Sequence, residues 1–139
     1  TIDIGELIAK TRNSSIMERI LKYIKMNKCH NAKGYYGYRP IHYMITNRTP
    51  DWMIKKYFKS IGYHSMLTNN NDTIIRYIID FKPGLFDFVM DYVDDLNIPN
   101  KQGIYPIQYA VRRCGVEIVD KFAAKGADLS VLNAINVTI

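Results

Sequence analysis

The chain has 139 residues, 47% hydrophobic and 23% charged, with a formal net charge of +6, as expected for one soluble globular domain. No apolar run approaches the roughly 20 residues of a membrane-spanning helix, and the first ten residues contain no signal-peptide core. Cys29 and Cys114 have no metal-type spacing, so we expect a reduced, cytoplasmic setting with no membrane, metal or cofactor.

Residues 1–33 predict two helices, near 5–11 and 15–26. Apolar residues follow one face of the second helix at helical spacing: Ile16, Ile20, Leu21 and Ile24. Because the chain begins with Thr1 rather than Met, we expect a fragment or a processed product.

Residues 34–66 contain a turn at Gly37, and Pro40 and His42 follow it. Thr49-Pro50 predicts an N-cap followed by proline at the first position of another helix. The apolar face of that helix consists of Met53, Ile54, Tyr57 and Phe58.

Residues 67–99 predict a first helix near 72–81 and a second near 86–95, separated by Pro83-Gly84. The second helix repeats the apolar face of the preceding unit: Phe88, Val89, Tyr92 and Val93. Ile75 stands at the position where the preceding unit has His42.

Residues 100–132 contain the most regular unit. A turn at Gly103 leads into a helix with proline at its start and a small residue inside it: Pro106, Gln108 and Ala110. The second helix presents Ile118, Val119, Phe122 and Ala123 and is followed by Gly126-Ala127-Asp128. Residues 133–139 then start a further unit or end the stack.

The turns recur every 33 residues. Positions 37, 70, 103 and 136 are Gly, Asn, Gly and Asn. Glycine and asparagine tolerate positive φ best, so this register predicts a tight turn at each position.

The pattern resembles the ankyrin repeat, whose 33-residue unit reads approximately D-x-x-G-x-T-P-L-H-x-A, then G-x-x-x-I-V-x-x-L-L and G-A-D. The resemblance implies an all-α solenoid of stacked helix-turn-helix units with projecting β-turns, forming one domain over 1–139. Its units are 1–33 (atypical), 34–66, 67–99, 100–132 and 133–139. The motif residues are Gly37, Pro40, His42, Gly103, Pro106, Ala110 and Gly126. In the family the histidine ties one unit to the next, and only His42 is present for that role here.

The resemblance also implies function, since the family binds partner proteins on the concave face of the first helices and on the turn tips. The positions that carry over are Tyr43, Arg76, Tyr109, Arg112 and Arg113 on the helices, and Tyr36, Tyr38, Lys101 and Gln102 on the turns. Tyrosine and arginine are enriched in interface hot spots. No phosphate loop, nucleophile motif or dinucleotide fingerprint is present, so we expect neither an enzyme nor a small-molecule substrate.

Nucleic-acid binding is the alternative function. Residues 1–64 carry eight Lys and four Arg against four acids, a net +8, whereas residues 65–139 carry seven bases against nine acids, a net −2. A basic half attracts nucleic acid or an acidic protein surface.

The source class is a further expectation. The abundance of Ile, Asn, Lys and Tyr and the degenerate repeats are similar to ankyrin proteins of large DNA viruses, poxviruses in particular. That similarity implies capture of a host defence or ubiquitin-ligase component in the cytoplasm or nucleus of an infected cell. A bacterial effector or a host scaffold also fits these residues.

Overall fold

A computed structural model of the protein describes residues 4–63 and 67–134. These residues form eight α-helices and no strand, which confirms the all-α prediction. The helices are α1 Ile4–Lys10, α2 Ser14–Asn27, α3 Pro40–Thr46, α4 Asp51–Ser60, α5 Ile74–Phe81, α6 Phe86–Met90, α7 Pro106–Cys114 and α8 Val119–Ala124. Short 3-10 turns lie at Cys29–Asn31, Tyr35–Gly37, Pro83–Leu85, Val116–Ile118 and Leu129–Ala134. No described helix is long and apolar enough to cross a membrane.

The helices pack in pairs, and the pairs contact one another in chain order. The odd-numbered helices, here called the first-helix row, pack as α1 on α3, α3 on α5 and α5 on α7. The even-numbered helices form the second-helix row, in which α2 packs on α4. Ring contacts continue this row, with Phe58 of α4 6.1 Å from Phe88 of α6 and Phe86 5.9 Å from Phe122 of α8.

The core lies between the two rows. In α5, the pairs Ile74–Ile75 and Ile78–Ile79 repeat at a spacing of four residues and are buried. Because this spacing places them on one helical face, they all point to the core. Full burial of each such side chain contributes about 1.5–3 kcal/mol. The predicted face of α4, from Met53 to Phe58, is also buried.

Three predicted apolar faces need correction. Ile16 is 41% exposed, and Met17 is buried on α2 instead. In the third unit the helix ends at Met90, so Tyr92 and Val93 follow the helix rather than belong to it. Ala123 is exposed on α8. In α2 and α8 the periodicity identified the correct face and misplaced one of its edges, whereas in the third unit it made the helix too long.

The start of α4 also differs from the prediction by one residue. Pro50 has φ −53° and ψ 144°, an extended conformation, and it precedes the helix that begins at Asp51. Pro50 therefore takes the cap position that we assigned to Thr49, which is buried. Pro40 and Pro106 do begin their helices, as predicted.

The turn register holds at the glycines. Gly37 has φ +76° and Gly103 has φ +79°. In the unit between them the positive φ belongs to Asn71, at 60°, and not to Asn70 as predicted. Asn136 lies outside the described residues. Gly126 has φ +85° after α8.

The prediction that only His42 can link one unit to the next is wrong, because Gln108 makes such a link as well. His42 Nδ1 accepts the Arg39 N–H at 2.9 Å, and Gln108 Oε1 accepts the Tyr105 N–H in the same way at 2.8 Å. Gln108 Nε2 also donates to the Val131 carbonyl at 2.9 Å, which ties α7 to the segment that follows α8. Glutamine succeeds here because its amide offers both an acceptor and a donor.

The Gly103 turn provides a stability test. Gly103→Ala should lower the free energy of unfolding by about 1 kcal/mol, because an L-residue resists positive φ. A Cβ there would meet no atom within 4 Å, so only backbone strain is tested. Gly84→Ala is the matched control, because Gly84 also has open space and has no positive φ. Urea unfolding measures both variants, and equal stability would contradict the turn assignment.

Candidate protein-binding surface

Backbone hydrogen bonds join the successive turns into a continuous edge, here called the turn ridge, formed by residues 36–38, 69–71 and 100–103. The Asn69 N–H donates to the Tyr36 carbonyl at 2.8 Å. The Lys101 N–H donates to the Asn70 carbonyl at 3.0 Å. A Cβ at Gly37 would lie 2.8 Å from Asn69 N, so this close approach also requires glycine. Each turn is therefore fixed by its neighbour.

Asp72 holds the middle turn of the ridge through hydrogen bonds to its carboxylate. Its carboxylate accepts from the side-chain amides of Asn100 and Asn70, each at 3.0 Å. Asn100 Oδ1 in turn accepts the N–H groups of Gln102 and Ile104 at 2.9 and 3.0 Å. Because Asp72 and Asn100 are buried, the bond between them is shielded from water, and the set of bonds fixes the turn shape.

Arg39 holds the first turn. Its guanidinium donates to the carbonyls of Gly37 and Leu67, and Nε donates to Asn31 Oδ1 at 3.1 Å. The residue is 8% exposed, and burial lowers the pKa of the guanidinium. Arg39 thus binds backbone oxygens of two consecutive turns.

The first-helix row brings three of the predicted site residues together. The Arg76 guanidinium lies over the Tyr109 ring, 4.8 Å from its centroid, and binds Asp72 at 3.0 Å. The Tyr109 hydroxyl donates to Asp80, and Arg113 Nε lies 3.3 Å from the same carboxylate. Arg76, Tyr109 and Arg113 therefore form one network with two aspartates, here called the helix-face network.

This network changes the ionisation of its members. Burial raises the pKa of the Tyr109 hydroxyl above its ordinary value, and its hydrogen bond to Asp80 raises it further. Burial is the largest single influence on Arg76 and acts to lower its pKa, but the hydrogen bonds and charge interactions with Asp72 and Tyr109 together outweigh burial, so the net shift of the pKa is upward. Tyr109 and Arg76 therefore keep their protons to a higher pH than free side chains do.

Tyr43 is half-buried rather than outward-facing. A Cβ at Gly5 would lie 2.3 Å from its ring, and one at Gly34 would lie 2.1 Å from its hydroxyl oxygen. Tyr43 therefore packs between α1 and the first turn, in space that the two glycines leave open. It supports the surface, whereas we had predicted that it would contact a partner directly.

The turn tyrosines line an open groove. Tyr36 is 74% exposed, and its ring centroid lies 5.9 Å from that of half-buried Tyr38. Tyr38 also contacts His42 and Tyr77, each at 5.4 Å. Burial raises the pKa of the Tyr77 hydroxyl. Residues at the next two turns complete the groove: Thr68, Asn69, Asn70 and Lys101.

The remaining predicted residues, Lys101, Gln102 and Arg112, are exposed. The structure therefore gives one helix-face network and one tyrosine groove. Sequence reasoning missed the structural roles of Asp72, Asp80 and Tyr77. Asp72 lies four residues before Arg76, a helical ion-pair spacing that predicts their contact. Asp80 and Tyr109 are 29 residues apart, and no local pattern connects them.

No protein-family model and no curated protein matches this sequence. Within residues 4–63 and 67–134, no group of three or more His, Cys, Asp or Glu side chains is placed to hold a metal ion. His64, one of the three histidines, lies outside these ranges.

Asp80→Asn tests the helix-face network. The substitution removes the carboxylate next to Tyr109, so the pKa of this tyrosine should fall toward its ordinary value near 10. Because the folded-state pKa is raised, the stability from this contact is full below about pH 10 and is lost as pH rises through the folded pKa. Carbon-13 NMR of ζ-labelled tyrosines measures the shift. Asp120→Asn is the control, because Asp120 is an exposed residue of α8. An unchanged pKa of Tyr109 in Asp80→Asn would contradict the contact.

Proposed function

We propose that this chain is an ankyrin-type scaffold without catalytic activity, which captures a partner protein on its turn ridge and first-helix row. The observation that carries the proposal is the pair of turn-to-turn backbone bonds, from Asn69 to Tyr36 and from Lys101 to Asn70. A surface fixed in this way loses little conformational freedom on binding, so contact energy is not spent on ordering it.

The chemistry of the surface supports a protein partner. Tyr36 offers a large, exposed aromatic ring, Lys101 lines the same groove, and Arg112 offers an exposed charge on α7. Aromatic and arginine side chains supply most of the energy in protein interfaces. The groove between the turn tyrosines is open, as suits an extended loop or a side chain of a partner.

The charge on this surface favours an acidic partner. Four bases, Arg76, Lys101, Arg112 and Arg113, stand against two acids, Asp72 and Asp80, a net +2. Arg76 is neutralised by Asp72, whereas Arg113 shares Asp80 with the Tyr109 hydroxyl. An acidic patch on the partner would therefore complement the ridge and speed association.

We place this capture inside a host cell, on the basis of the residue bias and degenerate repeats that are similar to poxvirus ankyrin proteins. The partner would then be a host defence or ubiquitin-ligase component.

The alternative, nucleic-acid binding, uses a different part of the molecule. It uses the basic N-terminal half, in which half of the Lys and Arg residues lie on the second-helix row: Arg19, Lys22 and Lys25 on α2 and Lys55, Lys56 and Lys59 on α4, all exposed. Variants of the turn ridge and of the second-helix row therefore distinguish the two functions.

Affinity capture from nuclease-treated eukaryotic lysate tests the proposal. The ridge variant carries Tyr36→Asn, Lys101→Glu and Arg112→Glu; Asn is chosen because Tyr36 has φ +60° and Asn tolerates that conformation. The matched control makes the same kinds of change on the second-helix row: Tyr23→Asn, Lys55→Glu and Lys59→Glu. All six positions are exposed, so both variants should keep the circular dichroism of the parent.

A protein retained by the parent and by the control, and lost from the ridge variant, is the expected result. Its purified form should bind the ridge variant at least about tenfold more weakly than the control. If the same proteins remain on all three chains, the ridge is not the binding surface. A third result would favour the alternative function instead. In that case a ligand is captured only from lysate without nuclease treatment, the ligand is nucleic acid that salt releases, and the control variant no longer binds it.

A further inference from the structure

A groove of about 660 Å³ runs between α2 and α4 on the second-helix row. Its wall on α2 extends from Asn13 to Lys25, and α4 contributes Lys56 and Ser60. None of these residues belongs to the turn ridge or the helix-face network. The groove is therefore a separate surface, and it is not part of the proposed function above.

The groove is basic along its length. Arg19, Lys22 and Lys25 lie three residues apart on α2, and Lys56 faces them from α4. Glu18 is the only acid among the lining residues, and it pairs with Lys56 at 3.0 Å. Four bases and one acid give a net +3, in the half of the chain that carries +8.

The fold leaves the three bases of α2 on the exposed part of that helix. Met17, Ile20, Leu21 and Ile24 are buried and hold the opposite face of α2 in the core. Residues 19, 22 and 25 therefore share the outer side, and six residues of helix separate the first from the last by about 9 Å. Like charges at this spacing repel one another, and an anionic ligand relieves that repulsion.

The groove is also partly aliphatic. Ile16 lines the groove and is 41% exposed, and the lysines and the arginine that line it carry methylene stems of their own. Leu21 contributes to the lining from the core side. A ligand that fits must therefore combine negative charge with aliphatic groups.

We propose that this groove binds an acidic protein segment that carries aliphatic side chains. Its carboxylates would pair with Arg19, Lys22 and Lys25, and an aliphatic side chain would pack on Ile16. Nucleic acid fits less well, because no aromatic ring lines the groove for stacking of single-stranded bases. A concave groove also has no element that enters a groove of a duplex.

The location gives the molecule two independent contacts. A partner on the turn ridge uses the first-helix row, and the acidic segment uses the second-helix row. The segment can belong to the same partner or to a second protein, so the chain can bring two proteins together.

Fluorescence anisotropy with a synthetic peptide tests the groove. The first probe is a labelled 14-residue peptide, the length of α2, built of alternating Glu-Glu and Leu-Leu pairs. The second probe is the same peptide with Gln in place of Glu. The third probe is a labelled single-stranded RNA of 14 nucleotides. The test variant is Lys22→Glu with Lys25→Glu. Its charge-matched control is Lys55→Glu with Lys59→Glu, two exposed lysines outside the groove lining.

The acidic peptide should bind the parent more tightly than the Gln peptide and the RNA, and about 0.5 M salt should weaken it strongly. Binding should fall at least about tenfold in the test variant and much less in the control. Equal loss in both variants, tighter binding of RNA than of the acidic peptide, or no binding of the acidic peptide to the parent would each overturn the proposal.

If the test variant loses helicity, Lys22→Gln with Lys25→Gln replaces it with the same expected direction. The ridge variant should bind the acidic peptide as the parent does, so this test fails or succeeds separately from the proposed function.

Discussion

The backbone bonds between successive turns determine the shape of the turn ridge. Turns without such bonds would project from the helix pairs and move separately, since loops are the least stable parts of most folds. Here the carbonyl of one turn accepts the amide of the next, first between Tyr36 and Asn69 and then between Asn70 and Lys101. The turns can form these bonds only where the chain reverses tightly, which is why Gly37 adopts positive φ and leaves room for Asn69.

Side chains extend this coupling from the turns to the helices. Asp72 links the middle turn to Asn100 of the next turn and to Arg76 of α5, and Arg76 contacts Tyr109 of α7. A substitution in one unit should therefore alter the hydrogen bonds of its neighbour through these groups. The second-helix row has ring contacts and surface ion pairs between its helices, and a groove lies between α2 and α4. The two sides of the molecule thus differ in chemistry, one tied by aspartates and tyrosines and the other lined by bases.

The sequence predicted most of what depends on local periodicity and turn chemistry. The positions of α1 and α2, the buried face of α4 and the glycine turns follow from patterns within one unit. Features that depend on contacts between units were missed or misplaced. Tyr43 was assigned to the outer surface because its burial depends on Gly5 and Gly34, which lie on other elements. Gln108 was taken as the loss of a histidine, although its partner Val131 lies 23 residues away.

Amide hydrogen exchange at Asn69 and Lys101 tests most directly whether the turns form one fixed surface. If the turn-to-turn bonds hold as described, both amides should exchange only through opening of the stack, with protection close to that of Ile78 in α5. Asn69 and Lys101 lie on turns, so high protection there cannot come from a helix of their own. Exchange at the rate of an open loop, with Ile78 still protected, would contradict the account, because the turns would then move independently.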